Sequence, residues 1–330
     1  MCKEAIKSIV QKYETSFDDM EKIFSYSGYI YKYIKDGKPC ILKITEDRHL
    51  TQEQLKSEVK WMKFLNKTNG PAVTLVAAKD NTIVQSVEVN KQKFQAFSYE
   101  MAIGESFGKK SWDKDLFFIW GKVAGNLHFL AKQYKPESEI RHDWLNDDLL
   151  IEVLDNKDDE DKVISERCEA IISKLKEIKK SSDNYGLIHS DLHTGNMIIQ
   201  NNGEVKVFDF DDCHYDFNIR EFAIALYFSF WHPNYVQSIL VQSPDDTDFV
   251  IEFTKAFLNG YSSENSYDPE MLKYVQDYLK LQRIMLYQIL KHDEIDGVEM
   301  GDWALVKSKW RQEIIDDKDY VNIDFTKIEL

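Results

Sequence analysis

Residues 189–212 decide the fold, and they read HSDLHTGNMIIQNNGEVKVFDFDD. Two short β-like runs, residues 197–200 and 205–208, flank the turn Asn201-Asn202-Gly203. This turn has a composition that favours a tight hairpin. We therefore predict a polar loop that leads directly into a β-hairpin.

Three polar residues of this stretch, Asp191, Asn196 and Asp209, suit phosphoryl transfer. That reaction needs positioning, neutralisation of charge by a metal ion and an oriented hydroxyl nucleophile. One carboxylate must lie near the hydroxyl, while a second carboxylate and an amide oxygen hold Mg²⁺. The order of these residues matches the protein-kinase pattern, in which Asn follows the Asp of a His-x-Asp loop by five positions. The alternative is a capped turn in which these side chains only bind backbone amides.

Lys43 and Glu58 form a second pair with a predicted role. Lys43 lies in a strand-like apolar run at residues 40–44. Glu58 shares the apolar face of a predicted helix with Leu55 and Met62. Because an unpaired buried carboxylate is prohibitively unfavourable, Glu58 requires a partner, and Lys43 is the predicted one. The alternative is that Glu58 lies at the edge of this face and pairs with a local lysine.

Two further segments are predicted to contact ATP. Ser27 and Gly28 lie in a stretch that has one glycine and is neither G-x-G-x-x-G nor a Walker loop. The backbone amides of this segment, which lie beside small serine side chains, would therefore have to bind the phosphates. Glu100 and Ala102 lie where the sheet pattern changes to a helical one, the place at which a hinge would offer backbone groups to adenine.

The first hundred residues predict a small sheet with one inserted helix. Residues 23–45 alternate in the manner of strands and are divided by a turn at residues 36–39. A capping box at residues 51–54 predicts the start of a helix. Further β-like runs cover about residues 72–78, 82–89 and 94–101.

The rest of the chain is predicted to be mainly helical. Residues 112–134 place apolar side chains on one stripe, and Gly121 and Gly125, one turn apart, would admit a closely packed neighbour. A length of 330 residues favours two lobes. We therefore predict an α+β chain with a nucleotide-binding lobe at residues 1–102. A catalytic and substrate-binding lobe is predicted at 103–330, with a helical insertion at about 136–180.

Composition and charge limit the partners. The formal charge of −15, from 57 acidic and 42 basic residues, argues against a nucleic-acid partner and would attract a cationic substrate. No apolar run approaches the roughly 18 residues that cross a bilayer, and the N-terminal residues do not resemble a signal peptide. A cytoplasmic protein without a membrane partner is predicted. The sequence does not indicate an oligomeric state.

These motifs resemble those of the aminoglycoside phosphotransferase and choline kinase superfamily. The resemblance spans about residues 25–230 and rests on HSDLHTGN at 189–196, VFDFDD at 207–212, WGKVAGNLH at 120–128, and Lys43 with Glu58. It implies a bilobal protein-kinase-like fold with ATP and Mg²⁺ as cofactors. It also implies that Asp191 is the catalytic base, Asn196 and Asp209 are magnesium ligands, and Lys43 holds the triphosphate.

Departures from the protein-kinase pattern point to a small acceptor. Asp209-Phe210-Asp211 lacks the glycine of D-F-G, and no A-P-E follows. Glu221-Phe222-Ala223 stands where many relatives carry Asp-Leu-Ala. Asp211 and Asp212 have three possible roles: metal binding, substrate binding, or simple exposure to solvent in the loop. The predicted function is O-phosphorylation of a small molecule, an aminoglycoside-like or other amine-bearing alcohol. The alternatives are a metabolite kinase of the homoserine, sugar or choline type, and a non-catalytic nucleotide-binding module.

Overall fold

The computed structural model describes residues 3–23, 29–46, 51–136, 138, 141–156, 161–232, 238–240, 247–295 and 301–329. The chain divides into two compact units. Unit 1 consists of Met1–Ser106, Gln133–Arg141 and Asn196–Cys213. Unit 2 consists of Phe107–Lys132, His142–Gly195 and His214–Leu330. The functional division at residue 102 stays a prediction.

The larger sheet of unit 1 is antiparallel. Its strands are β1 (Glu21–Ile23), β2 (Tyr29–Lys35), β3 (Lys38–Glu46), β4 (Leu75–Val76), β5 (Gln85–Val89) and β6 (Gln92–Glu100). They lie in the order β1-β2-β3-β6-β4, and β5 also pairs with β6. The predicted hairpin is β2–β3, in which Asp36 and Gly37 both have positive φ, as a two-residue turn of this hand requires.

Two helices accompany this sheet, α1 (Lys3–Gln11) and α2 (Gln52–Lys67). The predicted capping box is present at the start of α2, where Thr51 and Gln54 exchange side-chain to backbone hydrogen bonds. Helix α1 was not predicted from the sequence. Its apolar face, which includes Ile6 and Ile9, is buried in the core of unit 1 beside the strands.

A smaller antiparallel sheet in unit 1 contains the predicted hairpin. It has the order β10-β9-β7, from strands β7 (Gly104–Ser106), β9 (Met197–Gln200) and β10 (Val205–Val207). Gly203 closes the turn with a φ of +86°. Val205 pairs with Ile199, so the hairpin predicted from the sequence is confirmed.

Unit 2 is mainly helical. Its helices are α3 (Lys114–Ala131), α4 (Asp148–Asp155), α5 (Lys162–Lys176), α6 (Ile219–Ser229), α7 (Thr247–Ser262), α8 (Val275–Ile295) and α9 (Trp303–Ile315). One antiparallel strand pair, β8 (Tyr185–Ile188) and β11 (His214–Phe217), lies among them. The predicted α+β class is confirmed. Among the described residues, no helix combines the length and apolar character that a membrane crossing requires.

Close helix packing in unit 2 depends on glycine. A Cβ atom at Gly121 of α3 would lie 1.8 Å from the backbone oxygen of Phe257 in α7. A Cβ atom at Gly125 would lie 2.5 Å from the oxygen of Tyr261. The prediction that these two glycines admit a close neighbour is therefore confirmed.

Candidate active site

Lys43 is the centre of a charged cluster in unit 1. It lies on β3 between Leu42 and Ile44, and its side chain is 4% exposed. Its Nζ atom lies 2.6 Å from Asp209 Oδ1 and 2.9 Å from Asp211 Oδ2, close enough for charge-assisted hydrogen bonds. The structure therefore brings together two residues that are 166 positions apart in the chain.

Glu58 of α2 faces the same cluster, as its place on the apolar helix face predicted. Its Oε1 atom lies 4.0 Å from Lys43 Nζ, so the predicted ion pair is present but is longer than the two aspartate contacts. Within the described part of the chain, neither carboxylate oxygen of Glu58 has a hydrogen-bond partner. Burial raises the pKa of Glu58 from 4.5 to about 7, although the positive charges of Lys43 and Arg141 oppose the rise.

The remaining charges of the cluster favour an ionised lysine. Burial opposes the charge of Lys43, but the carboxylates of Asp211, Glu58 and Asp209 raise its pKa well above the ordinary value. Burial also opposes ionisation of Asp211, yet Lys43 and Arg141 hold the pKa of Asp211 down at about 2. Lys43 is therefore a cation and Asp211 an anion at neutral pH.

Arg141 is a site residue that the sequence reasoning missed. It is 7% exposed and donates hydrogen bonds to the backbone oxygens of Asp211 and Cys213. It also donates to Gln54 O at 3.2 Å and to Ser57 Oγ at 3.3 Å, both on the helix that carries Glu58. Arg141 thus joins α2 to the segment that follows Asp209. No periodicity or motif in the sequence marks it.

Asn196 and Asp209 lie at the two ends of the β9–β10 hairpin. The backbone oxygen of Asn196 accepts a hydrogen bond from Phe208 N at 3.2 Å, which fixes the two ends side by side. Asp209 has a φ of +65°, a backbone conformation that costs free energy in a residue with a side chain and is typical of functional sites. An amide oxygen and a carboxylate are ligands that suit a hard divalent cation.

Asp191 lies in unit 2, on the loop that follows β8. Its side chain is 29% exposed, and His193 Nε2 lies 3.4 Å from Asp191 Oδ2. His193 Nδ1 accepts a hydrogen bond from Gly195 N at 2.9 Å, so the ring proton of neutral His193 is on Nε2 and faces Asp191. A Cβ atom at Gly195 would lie 2.6 Å from the ring, which explains glycine at this position.

A buried carboxylate holds the backbone of this loop. Glu221 Oε2 accepts hydrogen bonds from His189 N at 2.6 Å and from Ser190 N at 3.4 Å. His128 Nε2 of α3 lies 3.5 Å from the same oxygen. Burial opposes the charge, but His128 and His189 hold the pKa of Glu221 below its ordinary value. Glu221 therefore anchors the loop that carries Asp191, at the position where many relatives carry the aspartate of Asp-Leu-Ala, and His128 supports Glu221.

The predicted nucleotide-contact residues have different outcomes. Ser27 and Gly28 lie outside the described residues. Glu100 ends β6, its N–H donates to Thr74 O at 2.8 Å, and its side chain pairs with Lys38 at 2.7 Å. Contact of Glu100 or Ala102 with a nucleotide stays a prediction.

Comparison with known proteins identifies the family. The profile of the phosphotransferase enzyme family matches residues 25–269. The chain belongs to this family. A relative by sequence is amicoumacin kinase of Bacillus subtilis (strain 168), which is 29% identical over 302 residues, or 91% of this chain and 87% of that protein. The predicted membership in the aminoglycoside phosphotransferase and choline kinase superfamily is confirmed.

Two solved structures share the fold of this chain. An amicoumacin kinase in complex with AMP-PNP, Ca²⁺ and Ami has a TM-score of 0.88 and 26% identity, covering 99% of this chain and 96% of that one. A microcompartment-associated aminopropanol kinase has a TM-score of 0.72 and 18% identity, covering 94% of each chain. The protein-kinase-like fold is confirmed, and the chain is a small-molecule kinase.

Proposed function

We propose that this small-molecule kinase transfers phosphate from ATP, with Mg²⁺, to a hydroxyl group of an amine-bearing alcohol. The observation that carries the proposal is the contact of buried Lys43 with the partly exposed Asp209 and Asp211, at 2.6 and 2.9 Å. It combines one fixed cation with two carboxylates, the charges needed to hold a triphosphate and its metal ion. The related kinase structure with AMP-PNP and Ca²⁺ supports use of a nucleotide with a divalent cation.

Each charged residue of unit 1 has a proposed role. Asn196 and Asp209 would hold Mg²⁺ through oxygen ligands, and the ion would neutralise charge on the triphosphate. Lys43 would bind the α- and β-phosphates. Glu58 and Arg141 would keep Lys43 and the Asp209–Cys213 segment in place. Asp211 is available as a further carboxylate beside the ion.

Asp191 is the proposed catalytic base. Its carboxylate is partly exposed, so an acceptor hydroxyl can reach it. The N–H of His193 faces this carboxylate, and Glu221 fixes the backbone from which Asp191 projects. These contacts keep the carboxylate oriented while it accepts the proton of the hydroxyl.

The acceptor is proposed from charge and from the relatives. A formal charge of −15 favours a cationic acceptor. A structural relative is an aminopropanol kinase, whose acceptor by name carries both an amine and a hydroxyl. The alternatives are acceptors of the homoserine, sugar or choline type, which a substrate panel distinguishes.

The test is a turnover screen with purified protein, Mg²⁺ and ATP. The panel contains aminoglycosides, amicoumacin, aminopropanol, choline, homoserine and neutral sugars, and ADP release is confirmed by detection of the phosphorylated product. We expect turnover of an aminoglycoside, amicoumacin or aminopropanol. Turnover of homoserine, choline or neutral sugars alone would favour the metabolite-kinase alternative, and failure of the folded protein to bind Mg-ATP would contradict the proposal.

The base assignment is tested with Asp191→Asn. We expect kcat to fall by about 10²- to 10⁴-fold, the usual contribution of a positioned base, while binding of Mg-ATP remains. Asp248→Asn is a matched control, because Asp248 is an exposed aspartate of α7. Full activity of Asp191→Asn would show that another group accepts the proton.

A further inference from the structure

Two histidines and an aspartate converge in unit 2, outside the loop after β8 that carries Asp191, which we call the catalytic loop. One possible ligand atom from each of His142, Asp147 and His214 lies within 4.8 Å of those of the other two. The two imidazole rings are nearly parallel, with centroids 5.4 Å apart and planes at 19°. Asp147 Oδ2 lies 4.0 Å from His142 Nε2. We infer that these three side chains bind a divalent transition-metal ion, for which Zn²⁺ is the best fit.

Backbone contacts hold the three residues in place. The backbone oxygen of His142 accepts from Tyr215 N at 2.9 Å, directly beside His214. His214 itself pairs with Ile188 in the β8–β11 ladder. Asp147 caps α4 by accepting from Leu150 N through Oδ1 at 2.9 Å, while Oδ2 is the oxygen nearer to His142. The backbone positions of the two histidines and the cap formed by Asp147 are therefore fixed, which reduces the entropy lost when an ion binds.

One of the three side chains is buried, and the other two are partly exposed to solvent. The side chain of His214 is 2% exposed, whereas those of His142 and Asp147 are 28% and 22% exposed. An ion can therefore enter from solvent and lie against a buried imidazole. Tetrahedral ligand atoms at about 2.0–2.2 Å from zinc are about 3.4 Å apart. Separations of up to 4.8 Å would have to shorten by up to about 1.4 Å to reach that spacing, a shift that the two partly exposed side chains can make.

A buried carboxylate supports the cluster from behind. Asp216 Oδ2 lies 3.6 Å from His214 Nε2, and Arg220 Nη1 holds the same oxygen at 2.8 Å. Tyr278 donates to Asp216 Oδ1 at 3.0 Å. A carboxylate that faces the ring nitrogen not bound to the metal orients a metal-binding histidine and increases its basicity. Asp216 would have this role with His214 binding the ion through Nδ1 and Nε2 directed towards Asp216.

The chemical types of the three ligands determine which metal ion the site would bind. Imidazole nitrogens with one carboxylate suit Zn²⁺ and neighbouring first-row metals, whereas Mg²⁺ and Ca²⁺ prefer oxygen ligands throughout. Three protein ligands leave a fourth position for water. This site differs in chemistry from the oxygen ligands Asn196 and Asp209, and it does not depend on the proposed phosphoryl transfer.

The ion would stiffen the strand pair that leads into the catalytic loop. His142 and His214 begin two separate segments of unit 2, and Asp147 is the N-cap of α4. Since His214 pairs with Ile188, the residue before His189, an ion at His214 would fix the start of the loop that carries Asp191. The inferred role is structural support rather than catalysis.

The test uses full-length protein freed of metal with a chelator and titrated with Co²⁺ or Zn²⁺ in the absence of nucleotide and Mg²⁺. We expect one equivalent of Co²⁺ with the visible absorption of a tetrahedral ion, and a higher melting temperature with Zn²⁺. His142→Ala and Asp147→Asn, which change partly exposed side chains, should each weaken Zn²⁺ binding by at least about 10- to 100-fold.

Two controls make the result specific. His292→Ala changes a partly exposed histidine of α8 outside the cluster and should leave Zn²⁺ binding unchanged. Asp209→Asn should also leave it unchanged, which separates this site from the one proposed for Mg²⁺. Equal Zn²⁺ affinity of the parent, His142→Ala and Asp147→Asn would overturn the inference, as would loss of Zn²⁺ binding in Asp209→Asn.

Discussion

Replacement of Glu58 by glutamine is predicted to stabilise this protein at pH 8 and to impair its catalysis. Glu58 is fully buried, and among the described residues its carboxylate oxygens have no hydrogen-bond partner. Burial raises its pKa from 4.5 to about 7. The ionised carboxylate therefore destabilises the folded state at pH 8, and replacement by an amide of the same shape removes this buried charge.

The magnitude follows from the pKa. A rise from 4.5 to about 7 is about 2.5 pH units, which at about 1.4 kcal/mol per unit corresponds to about 3 kcal/mol. Since the native state holds the proton more tightly than the unfolded chain, stability falls as pH rises from about 4.5 to about 7. Glu58→Gln mimics the protonated acid, so its advantage of about 3 kcal/mol is complete above pH 7 and absent below pH 4.5. Lys43 keeps Asp209 and Asp211 as partners in the variant.

The assay is urea denaturation of the parent, Glu58→Gln and the control Glu53→Gln between pH 5 and 8.5. Glu53 is an exposed carboxylate on the same helix, so its replacement should produce no pH-dependent gain. In kinetics, Glu58→Gln should raise KM for Mg-ATP, because Lys43 loses the charge that orients it from α2. A variant less stable than the parent at pH 8, or a difference that does not shrink towards pH 5, would refute the reasoning.

Three further predictions concern the loop anchor, the buried arginine and the helix contact. Glu221→Gln should lower kcat with little change in KM for ATP and destabilise the fold by about 2 kcal/mol, since the hydrogen bonds from His189 N and Ser190 N would go to a neutral amide oxygen instead of a charged one. Because the pKa of Glu221 is depressed, its contribution to stability is present above about pH 4.5 and is lost as pH falls through the pKa of the folded state. A Glu221→Gln variant with parental kcat would contradict the anchor role. Arg141→Met should raise KM for Mg-ATP and Arg141→Lys should restore part of the loss, as steady-state kinetics would show; equal kinetics of Arg141→Met and the parent would argue against this role. Gly121→Ala should destabilise the protein by about 3 kcal/mol in denaturant melts, because its Cβ atom would overlap Phe257 O, whereas Gly186→Ala, whose nearest atom is 3.8 Å away, should be almost neutral.

Local sequence signals predicted the parts of the fold that depend on neighbouring residues. The β9–β10 hairpin follows from its turn, α2 from its capping box, and the glycine contact of α3 from two glycines one turn apart. Each signal lies within a few residues and acts through backbone geometry. Helix α1 was missed because its short apolar face is interrupted by charged residues and is decided by packing on the sheet.

The sequence by itself determined the chemistry of the candidate site: a lysine on a strand, a glutamate on the buried face of a helix, and a loop and hairpin carrying Asp191, Asn196 and Asp209. Tertiary structure alone decided that Lys43 contacts the aspartates more closely than Glu58. It also decided that Arg141 reaches backbone oxygens 70 and 72 residues away, and that His142 lies against His214. The physical reason is that these contacts join segments distant in the chain, whose approach depends on how whole sheets and helices pack and leaves no periodic signal in the sequence.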